Sequence, residues 1–562
     1  MIKSNPMKFN LSNFRYAPIL FIIFIFLFFR VGELAVLPHW FWDEGVNTDL
    51  SCNLGEGQSR SFAMKYSFLP HPPLYFLISA LWLKVLGIGC SLTALRWLSV
   101  LLGLFSAIFL YLIVRKIGSE SSALLAAALY SIFPLSIYWQ RLAFANHLLA
   151  LLILLSLYSW IKFSTSSKTA WLMLSCLSAG LCAVTQVTGL AVIVSVVYLL
   201  WRHQRPYFFI GAITSVIPVL FFVTYMVALM PEAFIHDFFY MVLRGPSTSA
   251  IQAVSVVVLA IAFYIFQGQI LTVLKFNIQQ LFFFSKRYRK PEDRGYLLKR
   301  DAIVFLSILF VLGSFLSFYT PTDESLLYGI DFYWIGLLGL PLIIRKKEII
   351  HSFFLPFFIL FLRIGRTDHM VIPLYPFFAL GLTIMLFFLW NFWMSQIEKN
   401  APYYRRFLRL FLALILTSFI WASLSHDINL FGFGQGLEKT DQTDYLEVAD
   451  FLNPHLKEGD VVVAQSHFSR FIEADTCILT QSLAKDGIAI AYYPGDLGDE
   501  RFAFDCSFSR ARFFVLANDS LVWLENKSHP ELKAKILEMP IAFQGLRFDV
   551  YENLGQPPGG LK

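Results

Sequence analysis

The chain has 562 residues, of which 57% are hydrophobic and only 15% are charged, and its mean hydropathy is +0.62. Soluble domains carry about 25% charged residues. The composition therefore excludes an ordinary soluble protein and indicates an integral membrane protein. The net charge of +7 does not indicate a nucleic-acid partner, because the basic residues lie in short loops between apolar segments, where they orient a membrane protein.

The first apolar segment, residues 17–37, follows a basic N-terminus. It resembles the core of a signal peptide, but no small-residue cleavage site follows at Val36-Leu37-Pro38. We therefore expect an uncleaved first membrane span.

The segment that follows this span, residues 38–73, carries an acidic pair and a His-Pro-Pro element. Asp43-Glu44 comes after three aromatic residues, and His71 precedes two prolines. Carboxylates beside a hydrocarbon layer are costly to desolvate, so the pair indicates a functional site. Two structural alternatives stay open: Asp43 caps a helix that runs towards Cys52, and His71 belongs to a turn before a helix with proline in its first turn.

Apolar runs long enough to cross a bilayer number about 13. They lie near residues 17–37, 94–114, 121–139, 146–161, 169–186, 187–201, 206–230, 250–274, 301–319, 330–344, 349–363, 369–391 and 407–424. One further run, Pro72–Gly87, is predicted to lie along the interface, because only then do the basic clusters fall on one side of the membrane. The N-terminus is then cytoplasmic, and residues 425–562 lie on the outer face.

The C-terminal segment mixes charged residues with short β-rich runs, which predicts a small α/β domain over 426–555 after a membrane domain over 1–425. Strands are expected at 460–464, 488–491, 512–516 and 548–551, with helices at 444–452 and 530–537. Residues 556–562 are expected to be disordered. Cys477 and Cys506 are the two cysteines of this segment, and an oxidising outer face favours a disulfide between them.

Further polar residues are predicted at the outer ends of the spans. Arg141, Asn146 and His147 lie between the third and fourth spans; Arg244 ends an aromatic-rich segment; Arg366, His369 and Tyr375 surround the start of a Pro-broken span. Each position also has an ordinary structural explanation: the side chain could simply be solvated in a loop, or it could anchor the protein to lipid headgroups. Together, a carboxylate and several cations at one membrane depth suit chemistry on a membrane-embedded phosphate.

Four local patterns resemble the GT-C superfamily of membrane glycosyltransferases, in the branch that holds protein O-mannosyltransferases and the lipid A aminoarabinose transferase. They are Phe41-Trp42-Asp43-Glu44; His-Pro-Pro-Leu-Tyr-Phe-Leu followed by Ala94-Leu95-Arg96; the 177–189 span; and His369 to Pro376. The resemblance covers roughly residues 15–425. It implies a polytopic α-helical fold of about 13 spans with juxtamembrane helices in the first outer loop.

The resemblance also implies a function and site residues. The family transfers a sugar from a polyprenyl-phosphate carrier to an acceptor on the outer face, and we expect an inverting transferase. Asp43, with Glu44, matches the catalytic position, and His71 and Arg244 match positions tied to the lipid phosphate. Arg141 and Arg366 are further candidates for phosphate binding.

The remaining polar candidates follow from their shared position at the outer face, and the partners follow from the resemblance. Asn146, His147, His369 and Tyr375 are candidates for lining the site. Partners would be membrane lipids, a polyprenyl-phosphate-linked sugar and a protein, lipid or glycan acceptor. The location would be a bacterial inner membrane.

Two departures from the family pattern concern Asn146, where relatives often carry an acidic residue, and Gln186, where they often carry lysine. They put a divalent metal cofactor and the detailed contacts to the phosphate in doubt. A lipid-linked sugar transporter, a polysaccharide ligase or polymerase, and an inactive scaffold remain alternatives. A transporter would normally carry charges within its spans or internal repeats, and neither is evident here.

Overall fold

A computed structural model describes residues 17–57, 62–64, 72–229, 347–364, 368–397, 439–489, 497–526 and 530–555, with single positions between these ranges. Two packed regions are described: a helical region up to residue 397, and a C-terminal unit, residues 439–555, built around a β-sheet. The tail 556–562 and the predicted spans at 250–274 and 301–319 lie outside the described residues.

Most helices of the helical region follow apolar runs of the sequence. Its helices are α1 (Ala17–Val31), α2 (Trp42–Glu56), α3 (Leu74–Leu86), α4 (Leu92–Ile117), α5 (Glu120–Ser131), α6 (Pro134–Gln140), α7 (Ala145–Ser166), α8 (Thr169–Ala183), α9 (Leu190–His203), α10 (Phe208–Leu229), α11 (Lys347–Ile364) and α12 (Tyr375–Ile397). A 3-10 helix, Asp368–Leu374, leads into α12. Within the described ranges, four helices are long and apolar enough to cross a membrane, or five if the bent pair α5 and α6 is one span.

Helix α3 covers most of the segment predicted to lie along the interface. Its 13 residues extend about 20 Å at 1.5 Å per residue, which is shorter than a hydrocarbon core of about 30 Å. It packs against α2, and a disulfide joins Cys52 of α2 to Cys90, which precedes α4. The disulfide therefore closes the loop that contains α3. The predicted number of 13 spans and their orientation stay predictions.

The C-terminal unit contains a five-stranded sheet in the order β2-β1-β3-β5-β4. The strands are β1 (Val461–Val463), β2 (Asp475–Cys477), β3 (Phe513–Ala517), β4 (Ile541–Gln544) and β5 (Phe548–Glu552), and the helices are α13 (Gln442–Leu452), α14 (Leu479–Lys485), α15 (Asn518–Asn526) and α16 (Pro530–Leu537). Strands β2, β1 and β3 are parallel, while β5 and β4 pair antiparallel. The carboxyl ends of three neighbouring strands therefore lie along one edge.

Sequence patterns located most of these elements. Three predicted strands overlap β1, β3 and β5, and both predicted helices overlap α13 and α16. Strands β2 and β4 were missed; Ile488 and Ala489 are not in a strand, and the rest of that prediction lies outside the described residues. The predicted disulfide is wrong for this structure, because Cys477 and Cys506 are free and buried side by side.

The C-terminal unit docks on α2 through a short 3-10 helix, Ser466–Arg470. Ser469 Oγ donates to Asp49 Oδ1 at 2.6 Å, and the His467 ring lies 3.0 Å from the carbonyl oxygen of Phe41. Gly45 makes this approach possible, since a Cβ atom there would lie 2.1 Å from Ser466 Oγ. The sheet is thereby held against the helix that carries the acidic pair.

Candidate functional site

The acidic pair lies in the first turn of α2, but its two carboxylates have different environments. Phe41, not Asp43, is the N-cap residue, with extended backbone angles of φ −92° and ψ 140°. The capping alternative for Asp43 is therefore wrong. Successive helical residues are separated by about 100° around the axis, so Asp43 and Glu44 face different neighbours.

Glu44 is a structural anchor. It is fully buried and forms a two-pronged ion pair with Arg96 of α4, with both N–O distances at 2.7 Å. It also accepts the backbone N–H of Ala143 at 2.8 Å. The prediction of a catalytic Glu44 is corrected on this ground: its oxygens are occupied by partners that join α2 to α4 and to the segment before α7.

Asp43 opens into a cavity of about 550 Å³ between the helices and the C-terminal unit, a volume typical of small-molecule sites. Its helical wall includes Trp42, Asp43, Asn47, Phe76, Phe144, Asn146, Gln186, His369 and Met370. Its other wall includes Gln465, Ser466, Ile478, Thr480, Asp519, Ser520 and Trp523. The structure thus brings together three predicted site residues, Asp43, Asn146 and His369.

The electrostatics of Asp43 suit a proton acceptor. Its side chain is open to the cavity but is surrounded by protein on most sides. This burial raises the pKa of the carboxyl group, and the nearby His369 lowers it in part. The His369 ring stacks on Phe144 with centroids 5.0 Å apart and lies near Phe41 and Trp139. These rings hold the imidazole in place, near the carboxylate that it influences.

An amide pair occupies the floor of the cavity. Gln186 Nε2 donates to Asn146 Oδ1 at 3.3 Å, and both amides lie near the sulfur of Met370, at 3.6 and 3.8 Å. Asn146 and Gln186, which lie far apart in the sequence, are therefore neighbours in the structure. They form a neutral hydrogen-bonded pair.

Three other predicted site residues lie away from the cavity wall. Arg141 is buried and donates to the backbone carbonyls of Phe29, Gly32 and Leu37. These contacts correct its assignment to the phosphate, because they direct the guanidinium to the turn after α1. His147 is also buried, with its ring 2.9 Å from the carbonyl oxygen of Trp139.

Tyr375 lies in the core, with its ring 4.8 Å from that of Phe133. It and His147 are therefore corrected from site-lining to packing residues. The predicted phosphate ligands His71, Arg244 and Arg366 lie outside the described residues, and their assignment stays a prediction. Within the described part of the chain, no group of three or more His, Cys, Asp or Glu side chains is placed to hold a metal ion.

Sequence reasoning missed the contribution of the C-terminal unit to this cavity. Gln465, Thr480 and Asp519 follow the carboxyl ends of β1, β2 and β3. Ligands in open α/β sheets bind at that edge, so the ends of the predicted strands at 460–464 and 512–516 were a signal for Gln465 and Asp519. No signal was available for Thr480, because β2 was not predicted. The disulfide was missed too, although the predicted topology places Cys52 and Cys90 on the same face.

Comparisons with known proteins agree with this architecture. Residues 70–234 match the family model described as dolichyl-phosphate-mannose-protein mannosyltransferase. An uncharacterized protein of Aquifex aeolicus is 28% identical over 176 residues, which are 31% of this chain and 34% of the relative. The chain thus aligns with about a third of that relative's length.

Solved structures match over nearly the whole chain. ArnT from Cupriavidus metallidurans bound to undecaprenyl phosphate superposes with a TM-score of 0.57 at 14% identity, covering 97% of this chain and 100% of that one. The Archaeoglobus fulgidus oligosaccharyltransferase in complex with Zn and sulfate gives a TM-score of 0.51 at 10% identity, covering 91% of this chain and 69% of that one. The chain therefore has the fold of the GT-C membrane glycosyltransferases and resembles their protein O-mannosyltransferase and ArnT branch.

Proposed function

We propose that this protein transfers a sugar from a polyprenyl-phosphate-linked donor to an acceptor on the outer face of the membrane, with Asp43 as the general base. The observation that carries the proposal is the position of Asp43: its carboxylate opens into the cavity between the helices and the C-terminal unit. The neighbouring carboxylate, Glu44, is occupied by Arg96.

The proposed reaction is a single displacement. The acceptor's nucleophilic atom bonds to the anomeric carbon of the donor sugar, and the bond from that carbon to the phosphate oxygen breaks. The acceptor's proton passes to Asp43, and the polyprenyl phosphate leaves with the bonding electron pair. Because one displacement occurs, the anomeric configuration inverts.

Two findings support the donor class. The family model takes its name from a dolichyl-phosphate-linked sugar, and the matching ArnT structure holds undecaprenyl phosphate. In this chain we propose that His71, Arg244 and Arg366 hold the phosphate, since cations stabilise the charge that develops on a departing phosphate.

The test of the proposed base is sugar transfer by purified protein in nanodiscs, with a radiolabelled polyprenyl-phosphate sugar and membrane extract as acceptor. Asp43→Asn should lower turnover by roughly 10²–10⁴-fold, the usual contribution of a positioned base. Donor affinity should change little. Glu56→Gln, at the exposed end of the same helix, is the matched control. Normal turnover in a folded Asp43→Asn variant would remove the proposed base.

The proposed orientation has its own test. A reporter that is active only outside the cytoplasmic membrane should be active when fused after Lys562 and silent when fused at Glu292. The reverse pattern would place the Asp43 cavity on the cytoplasmic side and contradict an outer-face reaction.

A further inference from the structure

The cavity wall opposite the helices is built from the edge of the C-terminal sheet where its parallel strands end. Gln465, Thr480 and Asp519 follow three adjacent strands, and Trp523 lies one turn further along α15. This is the edge at which open α/β sheets bind ligands. Topology and cavity shape therefore identify the same surface, which we name the sheet-edge wall: Gln465, Ser466, Thr480, Asp519, Ser520 and Trp523.

The two walls of the cavity suit different substrates. A polyprenyl chain stays in the hydrocarbon layer, so a donor phosphate reaches the cavity from the side of the apolar helices. The sheet-edge wall belongs to a unit whose described helices are not long enough and apolar enough to cross a membrane. It is thus the wall available to the second substrate.

The chemistry of the sheet-edge wall combines a flat apolar surface with polar groups. Trp523 is half-buried in the wall, and Trp42 faces the same cavity with about half of its surface exposed (51%). Within the described residues, the side chains of Gln465, Thr480 and Asp519 have no protein hydrogen-bond partner. Their polar atoms are available to a ligand.

We propose that the sheet-edge wall binds a saccharide acceptor, with Trp523 against the sugar ring and Asp519, Gln465 and Thr480 hydrogen-bonded to its hydroxyl groups. A sugar presents an apolar C–H face and a rim of hydroxyls, which matches an indole surrounded by a carboxylate, an amide and a hydroxyl. The identification of this saccharide as the acceptor rests on the proposed function. The binding of a saccharide to the sheet-edge wall does not depend on that function.

Binding is measured by saturation-transfer NMR on the full chain in nanodiscs, with cellobiose and N,N′-diacetylchitobiose as probes and a Ser/Thr-containing peptide for comparison. We expect both disaccharides to bind the native protein. Trp523→Ala should weaken binding about tenfold, a loss typical of an aromatic contact, and Asp519→Asn should weaken it several-fold. Trp523→Phe should keep most of the binding.

Matched controls are Trp201→Ala, an exposed tryptophan of α9, and Asp450→Asn, an exposed aspartate of α13. Neither residue lines the cavity, so neither substitution should change binding. Equal binding to Trp523→Ala and native protein would overturn the proposal, and so would an absence of disaccharide binding. Peptide binding that depends on Trp523, without disaccharide binding, would overturn it in favour of a peptide.

Failure of the proposed function is distinguishable from failure of this inference. If Asp43→Asn kept normal sugar transfer while Trp523→Ala still lost disaccharide binding, the catalytic assignment would fall. The sheet-edge wall would remain a saccharide site.

Discussion

Replacement of Arg96 by alanine tests whether the ion pair beneath the site holds the site together. Arg96 and Glu44 are both fully buried, and their charged atoms approach to 2.7 Å. Arg96 Nη1 also donates to the backbone carbonyls of Leu34 and Pro38 at 3.0 and 3.2 Å. Arg96→Ala leaves the Glu44 carboxylate buried without its counter-charge and removes both backbone contacts.

The expected cost is large because the remaining charge cannot reach water. Removal of one partner from a buried ion pair destabilises a protein by about 3–5 kcal/mol. The pair Arg115–Glu120 is the internal control, since its N–O distance is 2.9 Å but its side chains are 46% and 49% exposed. Arg115→Ala should cost no more than about 1 kcal/mol.

The assay is the thermal unfolding midpoint of each variant in the same detergent, monitored by helical circular dichroism. Arg96→Ala should lower the midpoint several times more than Arg115→Ala. A double variant, Glu44→Leu with Arg96→Met, should recover part of the loss because no charge stays buried. Recovery is partial, since the N–H of Ala143 still loses its acceptor. Equal losses for the two single variants would refute the reasoning.

Three further outcomes are expected. Because burial raises the pKa of Asp43, acidification should lower the rate of sugar transfer at a higher pH than it would for an ordinary aspartate. His369 opposes this shift, so His369→Gln should move the acid limb of the pH–rate profile to a still higher pH. A reductant should lower the thermal midpoint by breaking Cys52–Cys90, whose 38-residue separation corresponds to about 4 kcal/mol of loop entropy. Burial also raises the pKa of Asp49 well above its usual range. The folded state therefore binds this proton more tightly than the unfolded state does. The contribution of Asp49 to the free energy of unfolding is full at low pH and is lost as the pH rises through the folded-state pKa. Asp49→Asn should remove that loss.

Each of these outcomes has a control. For His369→Gln, an unchanged acid limb of the profile would contradict the influence of His369 on Asp43. The variant Cys52→Ser should be insensitive to reductant, and equal sensitivity would assign the effect to other cysteines. For Asp49→Asn, the midpoint relative to native protein should rise as the pH increases above the usual titration range of an aspartate, and a constant difference would contradict the raised pKa.

Sequence patterns located the acidic pair but could not assign its two roles. Adjacent side chains on a helix point about 100° apart, so the two carboxylates meet different neighbours, and which neighbours these are depends on where α4 packs. Arg96 lies within a sequence pattern that resembles the family, but its partner is 52 positions earlier in the chain. Such long-range partners depend on tertiary packing, which hydrophobic periodicity does not specify.

The same limit explains the other corrections. Arg141 and His147 lie in the predicted loop between spans, and polar residues in loops are normally solvated. Here that segment is buried against the turn after α1, so Arg141 satisfies backbone carbonyls. The strands β1, β3 and β5 were predictable because each is a continuous apolar or alternating run. Strand β2 reads Asp-Thr-Cys, which carries no such signal.

Three successive residues of α2 connect the parts of the site. Glu44 anchors the helix to α4, Gly45 lets Ser466 of the C-terminal unit approach, and Asp43 remains open to the cavity. Because these positions are about 100° apart around the axis, the three roles require three faces of a single helical turn. A change in docking of the C-terminal unit therefore acts on the same turn that orients Asp43. The carboxylate and the sheet-edge wall are positioned by one element, which keeps the proposed base at a fixed place relative to both substrates.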